Sequence, residues 1–405
     1  MNPDLHRLHD YPFQRMAALK QGVAGNAEFQ HVALSIGEPQ HEPPGFVLDL
    51  LSDRSALARD LATYPATRGE AFLREAISDW LNRRFGVRTV PDRHVLPVSG
   101  TREALFSIAQ AVLRPDPSAL VIQPNPFYQI YEGAALLGGA QPYYVNCSAE
   151  SGYQPDFSAL PESVWARCQL LYLCSPGNPT GRNLDADTLG WLLEQAHRHD
   201  FVIAADECYS EIYFDEPPVG LLQVALQAGH SDFSRCVVFH SLSKRSNLPG
   251  LRSGFVAGDA QLLEQYFSYR TYQGCAMPVH HQRASAAAWA DEAHVQANRQ
   301  AYQDKFRAVT PILERVANVI PPQGGFYHWL KVDDDDQAFA RELFRACNIT
   351  VLPGSFLGRD PAAVNADQSD CKGNPGAGHI RVAWVAPAEQ CVAAADRLTQ
   401  WWQSR

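Results

Sequence analysis

No stretch of this 405-residue chain reaches 18 consecutive apolar residues, so no membrane-spanning helix is expected. The opening residues MNPDLHRLHDYPFQRM lack an apolar h-region, and no signal peptide is expected either. Positive charge is in deficit: 34 Lys and Arg against 44 Asp and Glu leave a net charge of −10. A protein held by broad phosphate attraction carries the opposite sign, so nucleic acid is not an expected partner. Nine cysteines, an odd number, are scattered from Cys147 to Cys391 without a CxxC pair. That pattern excludes a disulfide framework and a clustered zinc site, and fits a reducing compartment. Repeats and low-complexity tracts are absent. The acidic run Asp333–Asp336 lacks the alternating ligands and glycine of a calcium loop and reads as a solvated turn, so no metal is expected. A soluble, cytoplasmic protein is the expectation.

What is present is globular in balance, with 46% hydrophobic and 19% charged residues in a length suited to about two domains. Short apolar runs recur at Val95–Val98, Ala119–Gln123, Gln169–Leu173, Phe201–Ala205 and Cys236–His240. Helical patterns lie between several of them. Thr101–Leu113 aligns Leu105, Ile108, Ala109 and Val112, and Asp185–His199 starts on an Asp cap. Strands alternating with helices predict an α/β unit with a mainly parallel sheet covered on both faces. Gly69–Phe85 reads as a further amphipathic helix. The C-terminal third, with GGFYHWL (Gly324–Leu330), a helical pattern over Asp336–Cys347, a strand at Ile380–Trp384 and a final helix, predicts a second, α+β unit. The Gly-, Asn- and Asp-rich stretch from Gly358 to His379 reads as a long functional or mobile loop.

Ligands of open α/β sheets bind outside the carboxyl ends of the strands, so the residues just after each run are the place to look for a site. The five runs lead into Ser99-Gly100-Thr101-Arg102, Pro124–Tyr128, Ser175–Gly181, Asp206–Tyr209 and Ser241–Lys244. Gly100-Thr101 at a helix start offers backbone N–H groups and a hydroxyl to a phosphate. Ser241, Ser243 and Arg252 add two hydroxyls and a permanent cation with forked geometry. Lys244 among them reads either as a counter-ion or as a Schiff-base amine whose pKa is lowered by burial and neighbouring cations. Asp206, leaving an apolar strand, is costly to bury alone, and a protonated ring nitrogen would explain it.

SLSKRSNLPGLRSG (Ser241–Gly254), SPGNPTG (Ser175–Gly181) and ADECYSEIYF (Ala205–Phe214) together resemble the class I/II aminotransferases, pyridoxal-phosphate enzymes of fold type I. The resemblance runs from SIGEP (Ser35–Pro39) to HIRVAW (His379–Trp384). YPFQRM (Tyr11–Met16), NPFYQIYEGAALLGGA (Asn125–Ala140) and YRTYQGCAMP (Tyr269–Pro278) look like the N-succinyldiaminopimelate aminotransferases of bacterial lysine biosynthesis.

This resemblance implies a large domain with a seven-stranded, mainly parallel sheet over residues 46–285. A smaller α+β domain would come from both chain ends, with 1–45 as arm and part of it and 286–405 as its remainder. It implies pyridoxal 5′-phosphate as cofactor, amino acids and keto acids as substrates, and a homodimer with shared active sites. Lys244 would hold the cofactor covalently and move the proton at the substrate Cα. Asp206 would pair with the ring nitrogen, Tyr209 and Asn178 with the phenolic oxygen, and Tyr128 would stack on the ring. Thr101, with backbone from Gly100 and Arg102, would join Ser241, Ser243 and Arg252 around the phosphate, with Tyr64 reaching the phosphate of the neighbouring subunit. Arg381 would grip the substrate α-carboxylate, and Gly37 falls in the segment lining the substrate mouth.

For a distal substrate carboxylate, Arg270 and Arg245 are the first candidates by position, with Arg102 and Arg283 also open. The expected reaction transfers the amino group of N-succinyl-L,L-2,6-diaminopimelate to 2-oxoglutarate. Acetylornithine, an aromatic amino acid or a C–S lyase reaction are the alternatives. A cofactor-sensing regulator would need an N-terminal DNA-binding segment and a basic face, against the −10 charge. Cys208 reads as a small buried filler, and His240, His280 and His281 as packed or solvated side chains.

Overall fold

The computed structural model describes residues 2–274, 276–332 and 335–405. Among them run twelve strands. They are β1 (Val32–Ala33), β2 (Val95–Val98), β3 (Leu120–Asn125), β4 (Gln141–Asn146), β5 (Cys168–Cys174), β6 (Val202–Asp206), β7 (Cys236–Ser241), β8 (Gly254–Gly258), β9 (Tyr327–Lys331), β10 (Ile349–Thr350), β11 (Leu352–Pro353) and β12 (His379–Ala383). Seven of them form one sheet in the order β2-β8-β7-β6-β5-β3-β4, in which only β8 runs against its neighbours. The predicted mainly parallel sheet is therefore present. All five apolar runs are strands of it.

Two strands of this sheet do not show in the hydrophobic pattern. β8, GFVAG, is masked by its glycines, yet the glycines are what let it pair. A Cβ on Gly254 would lie 2.6 Å from the His240 carbonyl oxygen, and one on Gly258 would lie 2.0 Å from that of Cys236. β4, QPYYVN, is an edge strand, where a proline is tolerated.

Apolar cores cover both faces of the sheet. One contains Leu73, Ile77, Trp80 and Leu81 from the helix Ala71–Phe85, which ends where Gly86 takes φ +68°. The helix Ala186–His199 is capped by Asp185, whose carboxylate accepts from Thr188 N at 2.8 Å. A separate core joins both chain ends: Met16 and Leu34 pack with Tyr302, Phe326, Leu343, Val382 and Leu398 around the three-stranded sheet β11-β12-β9. The pairing of β1 with β10 stitches the N-terminal segment to this unit.

The stretch 358–379 departs from its sequence reading. It is a strap over the edge of β4, fixed by buried side chains. Arg359 meets Glu132 through two contacts at 2.9 and 2.7 Å, and Gln368 brackets both the N–H and the carbonyl of Tyr144. Edge strands left bare invite aberrant pairing, and this covering occupies the free hydrogen-bonding groups. The acidic run also departs where it is described. Asp335 caps the helix Asp336–Cys347, while Asp336 is buried and accepts from Ser355 N at 2.8 Å; Asp333 and Asp334 lie outside the described residues. No helix among the described residues is long and apolar enough to cross a membrane.

Candidate active site

A cavity of about 530 Å³ opens at the carboxyl ends of the strands, between the seven-stranded unit and the unit built from the chain ends. Sheet geometry delivers one wall. Thr101 opens the helix Thr101–Val112 after β2, Asp206 ends β6, and Ser241 ends β7, with Ser243 and Lys244 just beyond it. Tyr128 and Asn178 enter from the turns after β3 and β5, and Tyr209 from the turn after β6. The other wall comes from Ile36, Gly37, Glu38, Tyr327, Leu352 and Arg381, with Tyr11 and Phe13 added from the N-terminal segment.

Gly100 precedes Thr101 with φ +90°, and its missing side chain is required. A Cβ there would lie 2.1 Å from Arg252 Nη2. Ser241 Oγ accepts from Ser243 N at 3.1 Å and donates to Ser243 Oγ at 3.0 Å, so the two hydroxyls are held side by side. Helix start, hydroxyl pair and guanidinium together form an anion cradle.

Lys244 Nζ stands in the cavity and donates to the carbonyl of Gly37. Removal from water lowers its pKa to about 8. The Asp206 carboxyl is buried, and burial raises its pKa. Its two oxygens accept from Tyr131 Oη at 2.7 Å and from Cys208 N at 3.2 Å. Tyr131 is itself fixed by stacking on Tyr172 at 4.7 Å. Arg381 donates to Asn178 Oδ1 at 2.8 Å and to the Ser35 carbonyl at 2.7 Å, while its buried Nε has no partner.

Twelve of the fourteen sequence-predicted site residues line this cavity or, in the case of Gly37, form its rim. Gly100 sits directly behind it against Arg252. Tyr64 stands apart, its side chain wholly exposed. Of the four arginines considered for a distal carboxylate, two are corrected outright. Arg270 is fully buried against Glu103 on the helix Ala260–Gln273, and Arg245 is buried between Trp80 and Trp289 and paired with Glu292 at 2.8 Å. Arg283 pairs with Asp60 at 2.9 Å. Arg102 lines the cavity, donating from Nε to Tyr128 Oη at 2.9 Å.

Cys208 is partly buried against the chain-end core, as a filler, and also lines the cavity, with Sγ 3.2 Å from Thr101 Oγ1. His240 is packed as expected among Trp80, Phe85 and Phe255, with Nε2 3.1 Å from Glu207. Sequence reasoning missed Tyr327, Ile36, Glu38 and the role of Tyr131. None of these comes directly after an apolar run, as the residues of the sheet wall do. Among the described residues, no cluster of His, Cys, Asp and Glu could hold a metal ion.

The family model for aminotransferase class I and II matches residues 30–395, and the chain belongs to that family. An aminotransferase from Neisseria meningitidis superposes with a TM-score of 0.91 at 47% identity, covering 99% of this chain and all of that one. The 4-dedimethylamino-4-oxo-anhydrotetracycline transaminase of Streptomyces rimosus is 33% identical over 98% of this chain and all of its own length. An LL-diaminopimelate aminotransferase of Dehalococcoides mccartyi is 30% identical over 89% of this chain and 88% of its own.

The cofactor of this family is pyridoxal 5′-phosphate. The residues present fit it. The cradle at Gly100 and Arg252 would be filled by any Cβ, and the buried Asp206 carboxylate supplies the counter-charge that a protonated ring nitrogen requires. Lys244 supplies an amine lowered toward neutrality.

Proposed function

We propose that this aminotransferase acts on N-succinyl-L,L-2,6-diaminopimelate, with 2-oxoglutarate as the amino acceptor. The observation that carries the reading is the placement of Arg102. Beyond the cradle, two arginines among the described residues line the cavity: Arg381 from the chain-end unit, and Arg102 from the sheet wall, where it donates to Tyr128 and Tyr11. A pair of forked cations suits substrates with a carboxylate at each end, which glutamate, 2-oxoglutarate and the succinylated diamino acid all have.

In this reading Arg381 binds the α-carboxylate through its guanidinium, and Asn178 orients that guanidinium. Arg102 binds the distal carboxylate, steadied by Tyr128. Bound pyridoxal phosphate supplies an electron sink for charge developing at the substrate Cα. Asp206 holds the ring-nitrogen proton, and Tyr131 aims the carboxylate. Lys244, with an amine poised near neutrality, takes the Cα proton and returns it on the other side of the transfer. Tyr209 donates to the phenolic oxygen. Tyr64, exposed here, reaches the cradle of a second copy in a homodimer.

The test is substrate-dependent loss of visible absorption in single half-reactions. Arg102→Met should raise KM for glutamate and for the succinylated donor together by roughly tenfold or more, since a charge-assisted pair is lost at about 1.5–3 kcal/mol. Monocarboxylic amino acids should be unaffected. Unchanged KM for both dicarboxylates, or a faster half-reaction with acetylornithine or an aromatic amino acid, would overturn the assignment.

A further inference from the structure

The phenol of Tyr327 is one of the points where the two walls of the cavity touch. Its Oη lies 2.7 Å from Tyr209 Oη, and both side chains are buried. Its ring carries the Arg381 guanidinium at 4.4 Å from the centroid. Register explains that contact. β9 pairs with β12 so that Tyr327 faces Ala383 and Trp329 faces Arg381, which makes Tyr327 and Arg381 diagonal neighbours on one face. The third neighbour is Gly37, where a Cβ would lie 2.0 Å from Tyr327 Oη and 2.9 Å from Cζ. The segment lining the mouth therefore approaches this phenol as closely as a backbone can, and only glycine permits it.

We infer that Tyr327 is a positioning residue that donates its hydroxyl proton to Tyr209 and so frees the Tyr209 proton for the cofactor's phenolic oxygen, while its ring holds Arg381 in register for the substrate carboxylate. This rests on the cofactor orientation proposed above. Two phenols within hydrogen-bond distance share one proton between them, so one donates and one accepts. Burial holds both in the protonated form. When Tyr327 is the donor, Tyr209 keeps its own proton for a third group. A hydroxyl that accepts a hydrogen bond is also polarised into a stronger donor. Tyr209 then stabilises negative charge on the phenolic oxygen more than it could alone.

Two substitutions separate the hydroxyl from the ring. In the cofactor-loaded protein, Tyr327→Phe keeps the ring under Arg381 and removes the donor. The pH midpoint of the visible absorption should rise by about 0.5 unit. It should move in the same direction as, and less than, in Tyr209→Phe. KM for the amino donor should stay within about twofold of wild type. Tyr327→Leu removes the ring as well and should raise that KM roughly tenfold, because the guanidinium loses its support.

Pyridoxal phosphate affinity of the apoprotein, read by fluorescence titration, should fall in both variants. Near-ultraviolet circular dichroism controls for folding. The inference is overturned if Tyr327→Phe leaves the midpoint where it is while Tyr209→Phe moves it. If Tyr209→Phe itself leaves the midpoint unmoved, the cofactor orientation fails, and the inference with it.

Discussion

The cavity's two walls are assembled on different physical plans. The sheet wall takes its residues from the carboxyl ends of neighbouring strands, where a hydrogen-bonded ladder fixes their spacing: Asp206 and Phe239 are paired partners, and Ser241 faces Gly254. Its groups are the anion cradle, the amine and the buried acid. The opposite wall is gathered from segments far apart in the chain. Arg381 reaches Ser35 across 346 residues, and Tyr327 meets Tyr209 across 118. One wall is a rigid lattice edge suited to a permanently bound group. The other is a set of tertiary contacts suited to a ligand that comes and goes. Damage to the cradle, the amine or the acid should therefore appear in cofactor binding and turnover, and loss of Arg381 in substrate KM. Arg102 on the first wall and Tyr327 on the second are the two residues whose proposed roles cross that division.

The largest effect should come from Lys244→Ala. Loss of a positioned proton-transfer group should lower multiple-turnover kcat by at least about 10³-fold, read by coupled assay of glutamate formation. In the wild-type apoprotein the same amine sets a pH dependence. Only its neutral form is nucleophilic, and its pKa lies near 8 instead of the ordinary 10.5. Loading with pyridoxal phosphate, monitored by absorbance, should accelerate about tenfold per pH unit up to about pH 8 and then level off. Continued acceleration to pH 10 would mean that burial does not tune the amine.

Arg381→Met should come next, raising KM for every amino donor by roughly 10²-fold while pyridoxal phosphate affinity stays unchanged. A fall in cofactor affinity of similar size would erase the division between the walls.

A smaller effect should distinguish the two units by acid stability. His328, fully buried in the core of the chain-end unit, accepts from Trp384 Nε1 at 2.7 Å and has its pKa lowered to about 3 by burial. Between pH 6.5 and 3 the unfolded chain binds a proton there that the folded one does not. Stability is therefore lost as pH falls through that window, by about 2 kcal/mol on reaching pH 5. Urea unfolding of His328→Gln at pH 7 and 5 should show that part of the slope removed.

The smallest effect is expected from Ser243→Ala. It should weaken pyridoxal phosphate binding by up to about tenfold, one hydrogen bond to a charged group, without moving KM.

Much of the sheet wall was legible in the sequence, because each strand's end announces the residues beyond it. Gly100–Arg102, Asp206–Tyr209 and Ser241–Lys244 are local in the chain and local in space. The arginines show where that reasoning stops. Arg270 and Arg245 sit in segments that look right, yet Glu103 and the Trp80–Trp289 pair bury them. Arg102, adjacent to the cradle, is the one turned into the cavity. Nothing in the one-dimensional pattern marks Tyr131 as the partner of Asp206, or Gly37 as the glycine that admits Tyr327.

The alternation of strands with helices and the polar groups after each strand determined the α/β fold class, the anion cradle and the position of the amine beside it. Those properties depend on neighbours within a few residues, through period, capping and the direction of a parallel sheet. Which cations face the cavity, which phenol supports Tyr209, and what the 358–379 strap covers were decided only by the tertiary structure. Burial and long-range pairing fix the orientation of a side chain, and neither is a property of its sequence neighbours. The net charge of −10 is the plainest case: the sum describes the surface, while the fold concentrates Arg102, Arg252, Arg381 and Lys244 in one cavity.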